Sequence, residues 1–516
     1  MNGPPTDDEQ LRALGYEQKF TREMSLWATF ALGFLYLSPL VGVIALFGQG
    51  LSTAGPPSIF WIVIVAGGQW LVALVFGEVV SQYPLAGGLY QWARRLWGGR
   101  YAWWLSWVYL FTVMIGITTT ALFSADFVAS LFLGTAEDPG ASAAHSPGAT
   151  LLIAVVVAAL GLVLNATGTK TLARIAKIGL AAELVGVIAV GLYLLVFQRH
   201  NSFSVLFDSM GTGAGGYFGP FLAASLVGLL LFYGFEACGE VAEEVPNPAR
   251  RIPFAMQLTV LVGGGAALLA FAGYLLAAPD LPAIVSGADA KPIPSILQAA
   301  LGTVGTKIFL VIALTSFLAC VMGQQAAASR LVYSFARDRM FPGSGWFAVM
   351  SARRRVPLRA LLSVNAVPVL LFVFAYFAPD SIFRIAAFQM LAGYCAFQMV
   401  VLAALRARLR GWRPAGPFTL GRAGLPVTVA ALGYGVLAMV VLSLPSGDAD
   451  LPFYDRWIAL IGFLVVAVAG LVYLLTARPD RASDAPQGDA IEVAERMRAR
   501  RRQPDAALDR APAERS

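Results

Sequence analysis

Phe232-Tyr233-Gly234-Phe235-Glu236-Ala237-Cys238-Gly239 and Leu37-Ser38-Pro39-Leu40-Val41-Gly42-Val43 each interrupt a long apolar run. In the second stretch Pro39 removes a backbone donor and clashes with the preceding turn. Gly42 lowers the cost of irregular backbone there. In the first stretch two glycines flank a carboxylate inside an otherwise apolar segment. Such breaks expose backbone groups, and proteins that move solutes through a bilayer use them to hold substrate and ion. One break is ordinary in a membrane helix. Two, in the first and sixth apolar segments, fit a repeat of five helices used twice.

Working outward, the whole chain reads as membrane-embedded. It has 516 residues, 58% of them hydrophobic and 13% charged. A soluble protein carries about 25% charged residues, so a multidomain water-soluble enzyme is excluded. A spanning helix needs roughly 20 apolar residues. Twelve segments qualify: 27–51, 58–81, 102–133, 150–165, 178–197, 218–238, 254–278, 308–329, 360–378, 381–405, 424–445 and 457–475. Their length and the lack of period-two alternation favour helices over strands. The expected fold is an all-α integral membrane protein. Residues 1–26 form a cytoplasmic segment, and 27–405 a ten-helix core with repeats at about 27–197 and 218–405. Residues 406–476 add two helices, and 477–516 form a largely disordered cytoplasmic tail with at most a short surface helix near Glu492–Arg502. Amphipathic stretches at 89–97 and 294–301, after the second and seventh spans and on opposite faces, fit an inverted repeat.

Lys and Arg set the orientation. With both termini inside the cell, all but five of the 37 basic residues fall on the cytoplasmic side; the exceptions are Arg199, Lys291, Lys307, Arg384 and Arg456. The formal charge of +7 is therefore topological, and nucleic acid is not expected as a partner. Cys238, Cys320 and Cys395 lie in apolar runs with no paired spacing, so neither a disulfide framework nor a metal site is expected. There is no HExxH, GxSxG or P-loop, so an enzyme or a nucleotide-driven pump is not expected, and no cofactor is implied.

Charged groups inside spans are functional suspects because burial in lipid is costly. Glu78 and Arg384 lie near span ends, where snorkelling suffices. Asp126 reads as an interface residue. Glu236 directly follows a break, and Glu183 sits mid-span in Ala181-Ala182-Glu183-Leu184; both are candidates for proton or cation coupling. Glu240 joins them as a gating candidate, and Glu240, Glu243 and Glu244 are expected to face Arg250 and Arg251. A substrate carboxylate would meet freed amides of Val41, Gly42 and Val43 beside Ser38. A substrate amine would meet carbonyls of Phe232, Tyr233, Gly234 and Phe235. Trp107, Ser316, Cys320 and Gln389 complete the expected walls.

Phe232-Tyr233-Gly234-Phe235-Glu236-Ala237, followed by Glu243-Glu244-Val245-Pro246-Asn247-Pro248-Ala249-Arg250-Arg251-Ile252-Pro253, resembles the sixth-helix signature of the amino acid–polyamine–organocation permeases, in the amino acid/choline branch that includes GABA and choline permeases. Tyr83-Pro84-Leu85-Ala86-Gly87-Gly88-Leu89-Tyr90-Gln91-Trp92 resembles the stretch after that family's second helix. Ser329-Arg330-Leu331-Val332-Tyr333-Ser334-Phe335-Ala336-Arg337-Asp338, with Phe341-Pro342-Gly343-Ser344, resembles its eighth-helix exit. The resemblance implies a LeuT-like fold and alternating access around a site between helices 1, 3, 6, 8 and 10. Its function would be secondary transport of an amino acid or small amine, coupled to a proton or Na+, in the plasma or inner membrane. The alternatives are a non-transporting sensor of the same fold and a choline, polyamine or other organocation transporter. Some positions depart from the family. Leu40-Val41-Gly42 replaces the usual Gly-Ser-Gly run, and Leu230 stands where arginine exchangers carry a gating Trp. Glu236 and Glu240 stand where the branch often has Asp and His.

Overall fold

The computed structural model describes residues 6–140, 146–213, 215–289, 291–378, 381–445 and 452–508. Among them the regular structure is helical throughout. After α1 (Asp7–Ala13), Ser25 caps the start of α2 (Leu26–Leu37) by accepting from Ala28 N–H. α3 (Pro39–Ala54) follows after a single left-handed residue, Ser38. Then come α4 (Phe60–Gln82), α5 (Gly88–Leu96) and the long α6 (Gly99–Leu133). α7 (Pro147–Ala166) starts with Pro147 after its cap Ser146. α8 (Thr169–Leu184) runs through a π-helical turn, Val185–Ala189, into α9 (Val190–Phe197).

The sixth segment, expected to break around Gly234, forms three short pieces: α10 (Phe218–Ala223), α11 (Leu226–Leu229) and α12 (Ala237–Glu240). α13 (Pro248–Ala277) and α14 (Leu281–Val285) lead to α15 (Pro292–Arg337), which is kinked at Gly302 with φ 66°. The chain continues through α16 (Ser344–Phe347), α17 (Leu358–Ser363), α18 (Ala366–Phe377), α19 (Ile382–Leu409), α20 (Gly424–Leu442), α21 (Phe453–Arg456) and α22 (Ile458–Ala477) to α23 (Ala490–Leu508).

Eleven of the described helical segments are long and apolar enough to cross a membrane. The difference from twelve lies in residues 218–238, where Gly234 at φ 120° ends any continuous helix. The amphipathic stretches are both helical: 89–97 lies in α5 with one residue beyond it, and 294–301 precedes the Gly302 kink of α15.

Burial sorts the helices. α2, α3 and α6 are almost wholly enclosed, while α7, α20 and α22 are largely exposed. On α7 the large apolar residues Leu152, Val155, Val156, Leu160 and Val163 are exposed, a stripe at helical spacing. Such an apolar stripe has no place in water and fits contact with acyl chains. At the centre, α6 packs against α15 and α19, and α13 packs against α2, α3 and α4.

Residues 478–499 are docked on the bundle rather than disordered, and the short helix expected near Glu492–Arg502 falls within α23. Both arginines of α5 are buried and need acceptors, and the tail supplies them. Arg94 donates to Ser483 Oγ at 2.8 Å and to the carbonyls of Ala485 and Pro486 at 2.7 and 3.1 Å. Arg95 pairs with Asp489 and also reaches the Leu14 carbonyl of the N-terminal segment. Ala490, Val493 and Ala494 form the buried face of α23. Residues 509–516 lie outside the described residues.

Candidate functional site

The first break is built from Ser38 and Pro39. Ser38 adopts φ 45°, ψ 79° and closes α2 with its N–H on the Phe34 carbonyl. Its hydroxyl donates to Glu183 Oε1 at 2.8 Å and accepts from Val41 N–H at 3.4 Å. The Leu40 N–H also donates to Glu183 Oε1, at 3.1 Å. Gly42 N–H reaches the Ser38 carbonyl at 3.0 Å. This corrects the expectation for Val41, Gly42 and Val43. The new helix starts one residue after the break, so the amides of Val41 and Gly42 are already bonded, and Val43 lies inside helical backbone. Glu183 is fully buried and sits immediately before the π-helical turn, a distortion often found at functional positions.

The second break touches the first. A Cβ on Gly234 would lie 2.7 Å from the Leu37 nitrogen and 2.8 Å from the Tyr36 carbonyl carbon, so only glycine lets the two backbones meet. Gly234 N–H donates to Glu236 Oε2 at 2.9 Å, and Tyr109 O–H on α6 donates to Glu236 Oε1 at 2.9 Å. Tyr36 O–H donates to the Tyr233 hydroxyl oxygen at 3.2 Å, with the rings edge to face at 5.5 Å. Phe397 on α19 stacks on Tyr233 at 5.7 Å and packs edge-on against Phe235 at 5.5 Å. Of the four carbonyls expected to be free, those of Gly234 and Phe235 accept from Ala237 and Cys238. The Phe232 ring leans the other way, toward Gly264 of α13.

Polar groups from α6, α15 and α19 line the same region. Cys320 donates to the Tyr36 carbonyl at 3.5 Å. Gln324 donates to Thr120 Oγ1 at 3.1 Å, and Thr119 donates to Gln389 Oε1 at 2.8 Å. Ser316 bonds back to its own helix at Ile312. Trp107 does not belong to this group. Its indole N–H donates to the Val466 carbonyl of α22 at 2.9 Å, and its ring stacks on Trp103 at 5.4 Å. It therefore packs at the α22 boundary, where its N–H finds an acceptor.

A charge network closes the end of the bundle that carries α5. Glu240, Glu243 and Glu244 were expected to face Arg250 and Arg251. Instead Glu244 pairs with Arg330 at 2.8 Å and accepts from Thr169 at 2.7 Å, while Glu243 pairs with Arg337 at 3.0 Å. Both arginines lie on the inward face of α15, whereas Arg250 is exposed. Glu240 is fully buried and forms no ion pair among the described residues. Asp338 accepts from Tyr90 and Gln91, each at 2.9 Å, and from Tyr16 of the N-terminal segment. Burial and the neighbouring Asp338 carboxylate raise the Tyr16 phenol well above its usual pKa, which keeps it a donor. Glu78 does not snorkel: it is buried, paired with Arg408 and accepting from Leu420 N–H at 2.6 Å.

Removing one partner of a buried ion pair strands the other, at a cost of about 3–5 kcal/mol. Arg330→Ala is therefore expected to lower the thermal unfolding midpoint of the purified protein sharply. Arg330→Met combined with Glu244→Met should recover much of the loss. A midpoint unchanged in Arg330→Ala would show that the pair does not close this end.

The chain matches the amino acid permease family over residues 24–475. It is 27% identical over 503 residues to the amino-acid permease BAT1 homolog of Oryza sativa subsp. japonica, covering 92% of this chain and 93% of that protein. It is also 27% identical to the amino-acid permease BAT1 of Arabidopsis thaliana, over 90% of this chain and 92% of that one. The choline transporter of Saccharomyces cerevisiae is 27% identical, over 86% of this chain and 79% of that one. With a family match spanning most of its length and a multi-pass helical bundle to carry it, the chain belongs to the amino acid permease family.

Proposed function

We propose that the chain is a secondary active transporter that carries an amino acid or related small amine across the plasma or inner membrane by alternating access, driven by a proton. The observation that carries this reading is the contact between the two breaks, each bonded to a buried carboxylate: Glu183 at Ser38–Leu40 and Glu236 at Gly234. Broken helices meeting mid-bundle favour a site that is exposed by moving one helix group against another. The interrupted 218–238 segment is read as the sixth of twelve crossings in a LeuT-like arrangement.

The shape of the bundle supports the cycle. A cavity of about 410 Å³ lies at the end opposite α5, lined by Ile44, Gln49, Phe123, Asp126, Lys291 and Phe383 among others. Its wall at Ile44 belongs to the same half-helix as Leu40–Gly42. The α5 end is closed by the Glu243–Arg337 and Glu244–Arg330 pairs. One path open and the other packed fits an outward-facing state, with both termini in the cytoplasm.

The direct test is uptake of amino acids and amines into proteoliposomes under an imposed proton gradient. Accumulation that collapses with a protonophore supports the proposal, and binding without flux would favour a sensor. For orientation, Ala288→Cys is expected to react with an impermeant thiol reagent in intact cells, and Arg413→Cys only after the membrane is opened. The reverse pattern would invert the assignment.

A further inference from the structure

The start of α3 offers little to an incoming carboxylate. Helix N-termini attract anions because their first amides lack partners and the helix dipole favours negative charge. Here those amides are engaged. Pro39 has none, Leu40 N–H donates to Glu183 Oε1, Val41 N–H to Ser38 Oγ, and Gly42 N–H to the Ser38 carbonyl. The chain's own carboxylate, delivered from α8, fills the position where an amino acid's carboxylate would dock.

The supply of opposite charge is just as uneven. Glu183, Glu236 and Glu240 are all fully buried. None forms a salt bridge among the described residues; buried Arg330 and partly buried Arg337 are spent on Glu244 and Glu243. Both oxygens of Glu236 are engaged, by Tyr109 and Gly234. Glu183 spends Oε1 on two donors, while its Oε2 is buried without a hydrogen-bond partner. A buried carboxylate with an idle oxygen is a place for a cation. Around the breaks stand the rings of Tyr36, Tyr233 and Phe397, whose faces attract ammonium groups. No described group donates to the carbonyls of Phe232 and Tyr233.

We infer that Glu183 occupies the carboxylate seat at the first break, so that the substrate is an organic ammonium compound bringing no carboxylate of its own, with Glu183 Oε2 as its counter-charge. This rests on the transporter reading and narrows its substrate class. It also gives the π-helical turn after Leu184 a role: it sets the side chain of Glu183 against Ser38 and Leu40.

The test uses matched pairs that differ in the carboxylate: choline against glycine betaine, tyramine against tyrosine, histamine against histidine, and propylamine against 4-aminobutyrate. Binding to the purified full-length protein is measured by thermal shift and titration, and flux in proteoliposomes. The expected result is that, in at least one pair, the ammonium compound binds at least tenfold more tightly than its carboxylate partner and is carried. Glu183→Gln should lower that affinity at least tenfold. In Glu183→Ala, which frees the Leu40 amide, the preference between the partners should shrink. The wild-type comparison stands alone should either variant fail to fold. Carriage of an amino acid with affinity equal to or tighter than its amine would overturn the inference and leave the transporter reading intact. Binding of the amine without flux of any compound would overturn the transporter reading and leave the inference. Absence of binding by every member of every pair would overturn the inference.

Discussion

Glu236→Gln is expected to abolish gradient-driven accumulation, with uptake reduced about a hundredfold, equivalent to about 3 kcal/mol, while substrate binding and exchange survive. The substitution keeps the size of the side chain and fixes it neutral, so a residue that must lose and regain a proton no longer can. Uptake by the wild type should rise as the outside is made more acidic, and the variant should be flat over the same range. The geometry supplies a control. Two donors meet this carboxylate, Tyr109 O–H and Gly234 N–H; in Gln the amide oxygen keeps the Gly234 N–H, and the NH₂ donates to the Tyr109 hydroxyl, which turns to accept. Adding Tyr109→Phe leaves that NH₂ unpaired, at about 1–3 kcal/mol. The double variant should lose thermal stability that the single variant keeps, with accumulation absent from both. If accumulation is retained in Glu236→Gln, Glu236 only anchors the break and Glu183 becomes the proton-carrying candidate.

Gly234→Val should be equally severe for a different reason. The left-handed backbone at φ 120° is rarely available to a β-branched residue, and the new Cβ would fall within 3 Å of two backbone atoms of the first break. Backbone cannot swing aside as a side chain can. The two breaks must separate, and transport is expected to fall below detection in protein that still reaches the membrane. Gly42→Leu is the milder comparison. Its first added atom meets Leu231 Cγ at 3.2 Å, a flexible side chain on the sixth segment rather than substrate space, so a partial loss is expected. Equal effects for the two variants would mean that contact between the breaks is not what transport depends on.

Both breaks were legible because proline and glycine announce themselves inside apolar runs, and because a carboxylate so placed is rare. Glu183 and Glu236 were visible on that ground. Their partners were not. Tyr109 is 127 positions from Glu236 and Ser38 is 145 from Glu183, and no local pattern links them. Tyr36, one residue before Leu37, and the run Thr118-Thr119-Thr120 in an apolar helix were the available signals for the missed polar lining. Trp107 misled because an aromatic on a central helix can face either the cavity or an outer helix, and periodicity alone does not choose. The arginines at 250–251 misled through nearness in sequence. The acids turned toward α15, which presents its own arginines on a buried face.

The tail resisted reading because carbonyl acceptors leave no mark in composition. Its docking nevertheless has a consequence for how the protein is made. Residues 478–499 are made after all the described apolar helices long enough to span a membrane, yet Arg94 and Arg95, made nearly four hundred residues earlier, find acceptors on them. The N-terminal segment waits as well, since Arg95 also holds the Leu14 carbonyl. Leu14 and residues 483–489 are thus joined across one short helix, and that closure can occur only once Asp489 has been made. A chain stopped after Ala477 should insert into the membrane yet be cleared faster than the full-length protein, as a pulse-chase measurement would show. Synthesis as far as Asp489 is thereby written into the fold as a condition of maturity.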